Sequence, residues 1–225
     1  MDNLKDIEET VARHKASLCS KVEAASVSTI SKTPFNVLVY RECLFYRHTQ
    51  LCETSLQLVK QGTATPAVVL ARAAIECTGM IYWAHKKLLS YRNSVLLSDI
   101  DKFFLKALMG SKAEELMGSK TEDNLRGAHN VMTGLDHVDV KYNGLRKLYD
   151  QMSEFAHPNY AGVHQSYAKI DYDKYTVAFK YNNDKTAYQH KMAVNAVGGS
   201  LVVFEVYYNA IAKEMSEFVL WCENQ

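Results

Sequence analysis

The chain has 225 residues, 48% of them hydrophobic and 23% charged, and Lys+Arg 26 against Asp+Glu 25 leave a formal net charge of +1. That is enough apolar material for a full core without metal or disulfide support, and the charge balance excludes a nucleic-acid protein built on bulk basicity. Cys19, Cys43, Cys52, Cys77 and Cys222 are odd in number and widely spaced, with no Cys-x-x-Cys, so they fit neither a disulfide framework nor a zinc knuckle and read as buried free thiols in a reducing cytosol.

The opening MDNLKDIEET is acidic and polar, so no signal peptide is expected there and the chain reads as cytoplasmic. Across the first thirty residues Leu4, Ile7, Val11, Leu18, Val22 and Ala25 recur at spacings of three, four and seven, which predicts one long helix. SKTPF breaks it. Pro34 is placed to open the next helix, over Phe35 to Gln61, and Gly62 to stop it. In TATPAVVLARAAIECTGMIYWAHKKL, Thr65 is placed to cap and Pro66 fits a first turn. Between Pro66 and His85 the only formally charged residues are Arg72 and Glu76, so this helix is expected at the centre, surrounded by the others. Ser98 and Asp101 have the spacing of a capping pair opening SDIDKFFLKALMG.

GSKAEELMGSK repeats Gly-Ser-Lys and reads as two turns flanking a short helix, since the phosphate-loop pattern is absent. Thr121 to Met132 is predicted as another short helix, TGLDHVDVKYNG as a loop, and Tyr142 to His157 as a helix stopped by Pro158. SYAKIDYDKYTVAFKYNNDKTAY then alternates, is rich in Tyr, Thr and Val, and carries an Asn-Asn-Asp turn signal, which predicts a short hairpin. A long helix over Thr186 to Cys222 closes the chain, with Gly198-Gly199 either kinking it or admitting a close neighbour. Its apolar window Ala193–Ala212 contains Asn, Gly-Gly and Glu205 and reads as a buried helix, not a membrane span. The expected fold class is all-α: one helical domain over 1–225, a bundle of about five to seven helices with a short β-hairpin or irregular insertion near 165–183.

Chemistry concentrates in SEFAHPNY. Glu154 and His157 are three apart and share a helix face. At about 100° per residue, Leu145, Leu148, Met152, Phe155 and Ala156 lie on one side, with Glu154, Asp150 and His157 across from them. Alone, these read as polar residues on a solvated face, His157 sitting near the negative end of the helix dipole. A functional reading needs a partner. Arg72 and Glu76, one turn apart in an apolar helix, must be paired. Arg72 with Glu154 and Glu76 with His157 would make either a clamp between two helices or the floor of a pocket, the clamp being favoured. A di-iron site needs two E-x-x-H motifs, and EFAH is the only one, so no metal or cofactor is expected. No cysteine lies near a histidine in a recognisable signature. Metal-free RNA cleavage would pair an Arg, to stabilise phosphate, with a His acting as acid or base. RECLFYRH supplies Arg41 and His48, seven apart and on one face.

LARAAIECTGMIYW and LYDQMSEFAHPNY resemble an uncharacterised group of bacterial helical proteins in which one helix carries Arg-small-x-x-Glu and a later one ends in Ser-Glu-aromatic-x-His-Pro. The resemblance covers Val68 to Trp83 and Leu148 to Tyr160 and picks out Arg72, Glu76, Ser153, Glu154, His157 and Pro158. More loosely, the bundle is similar to HEPN domains, whose Arg-polar-…-His motif matches Arg41–Glu42–…–His48, although Glu42 stands where Asn is usual and six residues intervene where four are common. That resemblance implies nucleotide or RNA binding, a ribonuclease site built across a homodimer, and a place in a bacterial or phage defence system.

The leading expectation is a non-catalytic interaction or regulatory bundle with a protein partner or a second copy of itself. The alternative is a HEPN-like RNA-binding protein or metal-independent ribonuclease, for which HKKLLSYR, His85 to Arg92, would supply a basic rim. A small-molecule pocket lined by some of the 14 tyrosines ranks third. No membrane partner is expected.

Overall fold

The computed structural model describes residues 2–111, 113 and 127–225. Among these it is a helical bundle with one two-stranded antiparallel hairpin near the C-terminal end. The two Gly-Ser-Lys turns with their short helix, and most of the helix predicted over Thr121 to Met132, lie outside the described residues. Of the latter, Ala128 to Asn130 is non-helical.

The N-terminal region corrects the expectation of one long helix: α1 (Asp2–Ala16) ends early, and a single turn, α2 (Ala24–Val27), follows. The Ser17 hydroxyl donates to the carbonyls of Arg13 and His14, taking up the orphan acceptors of the helix end. Leu18 and Val22 keep the helical spacing by coincidence. Helix α3 (Thr33–Lys60) has Pro34 in its first turn, and the chain leaves it through Gly62 at φ +75, a left-handed conformation that favours glycine.

Helix α4 (Ala64–Leu89) is the axis of the molecule. Ala67, Val68, Ala71, Ala74, Ile75, Ile81, Ala84 and Leu88 have no exposed surface. By length and composition, Ala64–Asn93 could cross a membrane, and 61% of its most apolar stretch is buried inside the bundle. The small residues let neighbours approach closely. A Cβ on Gly79 would lie 2.9 Å from the Leu135 backbone nitrogen, so α4 touches α6 (Val131–Asp139) backbone to backbone at Gly79 and Gly134. Helix α6 replaces the loop expected over TGLDHVDVKYNG: Asn130 caps the Met132 N–H at 3.1 Å, and Leu135 and Val138 are fully buried.

The two predicted caps are corrected too. Thr63, not Thr65, precedes α4, and Thr65 instead donates to Gln189 Oε1 at 3.4 Å. Helix α5 (Leu97–Met109) starts after Leu96, and Asp101 accepts from Thr33 Oγ1 at 2.9 Å and Asn36 Nδ2 at 3.3 Å, binding α5 to α3.

Helix α7 (Leu145–Ala156) leads through Pro158 into a π-helical turn (Tyr160–Gln165) and then the hairpin β1 (Ala168–Asp171) and β2 (Thr176–Phe179), paired Ala168 to Phe179 and Asp171 to Thr176. The hairpin turn is Tyr172–Tyr175, where Asp171 Oδ1 accepts the N–H groups of Asp173 and Lys174, both at 3.1 Å. The Asn-Asn-Asp sequence instead leads into α8 (Thr186–Glu223), with Asn183 Oδ1 accepting from the Lys185 N–H at 2.8 Å. Helix α8 runs unbroken through Gly198-Gly199. A Cβ on Gly198 would meet Ile7 Cδ1 at 3.0 Å, so this glycine admits α1. Arg13 grips Glu205 with both terminal nitrogens, at 2.6 and 2.8 Å, and holds the Glu205 carboxyl down at about 2. Two hydrophobic clusters, both lined by α4 and α8, form the core.

Candidate functional site

The two stretches that carry the family resemblance pack against each other along the seam between α4 and α7. Helix α7 buries Tyr149 and Met152 toward α4. That face delivers Tyr149 and Ser153, one turn apart, to Arg72. Arg72 Nε donates to Ser153 Oγ at 2.8 Å, and its Nη2 donates to the Tyr149 hydroxyl. The guanidinium stands 4.4 Å from the Tyr149 ring centre and 3.3 Å from Glu76 Oε1. The Tyr149 hydroxyl donates to Glu76 Oε1 at 3.1 Å, and Ser153 donates to the Tyr149 carbonyl at 2.9 Å. Burial, then the nearby Glu76 charge, raises the Tyr149 hydroxyl above its ordinary value, so it stays a neutral donor. Each hydroxyl donates within the cluster, and both charges are paired. Chemically this is a lock between two helices, with Arg72 and Glu76 each about one-fifth exposed.

The expected partners Glu154 and His157 are not in it. Both are exposed. Glu154 sits on the outer face and accepts from Asn159 Nδ2 at 2.7 Å. His157 follows the last helical residue with extended backbone, φ −90 and ψ 148, the conformation that a following proline favours. Its ring borders a shallow groove of about 450 Å³ with Pro66, Val69, Phe155 and Val163, away from Arg72. The pairs Arg72–Glu154 and Glu76–His157 therefore do not form. Tyr149, which sequence reasoning passed over as an ordinary aromatic, takes their place. The available signal was its position four residues before Ser153 and one turn from the motif.

The second candidate pair, Arg41 and His48, shares the α8-facing side of α3 but not one site. Arg41 stacks on Tyr208 at 3.5 Å, donates to the Tyr208 carbonyl at 3.0 Å, and pairs with Glu42 at 2.8 Å. His48 has no exposed surface and stacks on Phe204 at 4.1 Å. Its Nε2 lies 2.8 Å from Ser200 Oγ, which lies 2.7 Å from Thr78 Oγ1, which reaches the Ala74 carbonyl at 3.3 Å. One proton order satisfies the chain: His48 Nε2–H to Ser200, Ser200 to Thr78, Thr78 to the carbonyl. Burial pushes the His48 imidazolium down to about 3, so the ring is neutral at ordinary pH. As a general acid or base for RNA it has neither access nor a matched proton affinity.

Of the expected basic rim, one charge is paired and another stays exposed over a ring. Arg92 is neutralised by Glu214 at 2.6 Å and Glu217 at 2.8 Å, and Lys86 lies over the Tyr82 ring at 5.9 Å. The tyrosines do not converge on a pocket. Tyr142 and Tyr207 bond each other at 3.3 Å, whereas Tyr172, Tyr175 and Tyr181 point into solvent. Among the described residues no group of three or more His, Cys, Asp or Glu side chains could hold a metal ion. Comparison with protein-family models, curated proteins and solved structures finds no match for this chain.

Proposed function

We propose that this chain is a non-catalytic interaction bundle that presents its hairpin to a protein partner. The observation that carries this reading is the surface of β2. All four of its residues are exposed, and around it Tyr172, Tyr175, Phe179 and Tyr181 are 78%, 95%, 78% and 90% exposed. Contiguous aromatic surface of this kind marks an interaction site. A two-stranded hairpin is marginal alone and gains from a further strand, and an open strand edge is a template for one. The fitting occupant is an extended segment of a partner protein, carrying an acidic residue to face Lys180, with apolar side chains for the aromatic face.

The locked polar groups support the same reading from the other side. Arg72, Glu76, Arg41 and His48 are each engaged by the protein itself. A HEPN-like ribonuclease would have to free His48 from the core before it could act. The resemblance to HEPN domains fits a regulatory module of a bacterial or phage defence system equally well.

The test has two arms. Purified chain incubated with total RNA is expected to leave it intact. A photo-crosslinking residue at Tyr175, in cells expressing the full chain, is expected to give one discrete protein adduct that Val177→Pro removes by taking away an outward-facing N–H on the open edge of β2. RNA cleavage lost in His48→Ala or His157→Ala overturns the proposal, as does the lack of any adduct from Tyr172 or Tyr175.

A further inference from the structure

Helix α8 has a second surface, separate from the hairpin, and we infer that it pairs antiparallel with α8 of a second copy of this chain. The motivation is its outward face. Tyr188, Val202, Val206 and Leu220 are 52%, 64%, 48% and 62% exposed, although the opposite face of the same helix is core. At about 100° per residue these four fall within one narrow stripe, together with Lys191, Asn195, Gly199, Asn209, Lys213 and Glu217. From Asn195 to Asn209 the stripe carries no charge.

The stripe reads the same after a two-fold rotation. In an isologous pair, residue i meets j and j meets i. A two-fold at Phe204 sets Val202 against Val206 and Gly199 against Asn209. It also sets Tyr188 against Leu220, matching the two outlying apolar side chains. Lys191 then faces Glu217, which Arg92 also holds within the chain at 2.8 Å, and Lys213 faces Asn195, beside which Asp6 lines the same groove. Every charge on the stripe meets an opposite charge or an amide. A parallel pairing would set Lys191, Lys213 and Glu217 each against its own copy.

Gly199 is an independent observation. It lies in the middle of a 38-residue helix with ordinary helical backbone, where glycine is destabilising relative to alanine. A Cβ there would meet nothing within 4 Å. Among the described residues nothing requires the glycine, whereas a helix approaching from outside would gain from it. It also floors a groove of about 620 Å³ between α1 and Tyr142, lined by Ile7, Val202 and Val203.

The area sets the strength. From Tyr188 to Leu220 the stripe is roughly 48 Å long. At about 10 Å wide, it buries about 500 Å² per copy, or about 1,000 Å² in all, the lower end of specific interfaces. At that size the dimer is expected to be weak and concentration-dependent.

The full-length chain is run in sedimentation velocity from about 1 to 200 µM. The weight-average mass is expected to climb from monomer toward dimer. Val202→Glu is expected to abolish the climb while helical circular dichroism is unchanged. Gly199→Ala is expected to raise the melting temperature of dilute monomer and weaken dimerisation. Lys191→Glu and Glu217→Lys are each expected to weaken dimerisation about tenfold, the latter also releasing Arg92 and slightly lowering the melting temperature of the dilute monomer, and the double variant to restore the dimer. A monomer at every concentration overturns the proposal and leaves the stripe to a different protein. A dimer indifferent to Val202→Glu overturns it as well, and a double variant that restores nothing overturns the antiparallel register. The hairpin substitution Val177→Pro is expected to leave the dimer intact, which separates this surface from the one proposed for a partner.

Discussion

The two sides of α4 carry polar groups of the same kinds at different depths. On one side, Thr78 meets Ser200 and His48 with no exposed surface at any of the three. On the other, Arg72 and Glu76 meet Tyr149 and Ser153 about one-fifth exposed. The sealed side holds only neutral groups, because an unpaired buried charge would cost too much. The half-open side holds a full ion pair, because water still reaches it. Depth decides what each cluster can be: the first fixes the mutual register of α3, α4 and α8, and the second latches α7 onto them.

The deeper cluster should be the more expensive to break. His48→Ala removes the ring stacked on Phe204, opens a cavity and takes away the donor to the Ser200 oxygen, which keeps only its bond to Thr78, at a cost of about 3–4 kcal/mol. For a chain of this length, that is a melting-temperature drop of about 10 °C in calorimetry. A drop under a few degrees would show that the core rearranges around the lost ring.

The same histidine gives a pH signature. The folded chain holds His48 near 3, against 6.5 ordinarily, so below about pH 6.5 the unfolded chain takes up a proton that the folded chain refuses. Stability at this site therefore falls as pH drops from 6.5 toward 3, and is flat above 6.5. His48→Gln keeps a donor for Ser200 but does not titrate. The stability difference between wild type and His48→Gln is expected to shrink as pH falls through that window. A difference independent of pH would mean that the ring takes up a proton as readily in the folded chain as in the unfolded one.

The half-open cluster should respond less. Arg72→Ala removes bonds to Ser153 and Tyr149 and leaves Glu76 unpaired, for about 2 kcal/mol. Tyr149→Phe keeps the ring under the guanidinium and loses only the hydroxyl, for about 1 kcal/mol. Because the two share a network, the double variant is expected to cost measurably less than the sum. Additive denaturation midpoints would show that the lock is two separate contacts.

These contrasts explain what the sequence could and could not disclose. The central helix was legible because Arg72 and Glu76 interrupt an otherwise apolar run, and that pattern leaves few places for the helix except the middle. Pro34, Gly62 and Pro158 were legible as punctuation because their backbone chemistry is local. The depth of His48 was not. Arg41 and His48 do share a helix face, but whether that face meets water depends on α8, more than 150 residues away. Tyr149 was hidden for the opposite reason. Its ring packs as an aromatic ring should, and only the position of Glu76 across the seam gives its hydroxyl a task.

The smallest effect is expected where the sequence looked most chemical. Glu154 and His157 are both exposed, but His157 lies past the end of α7 with extended backbone, so the shared helix face that their spacing suggested does not form. Glu154 steadies Asn159, whose side-chain oxygen caps the π-helical turn at the Gly162 N–H at 3.1 Å. Glu154→Ala is therefore expected to shift stability by less than about 0.5 kcal/mol, and His157→Ala by no more. Combining either with Arg72→Ala should give additive midpoints, since no atom of the lock touches them. A coupling above about 0.5 kcal/mol between Arg72 and Glu154 would mean that the carboxylate swings inward in solution, reviving the four-residue cluster that the spacing suggested.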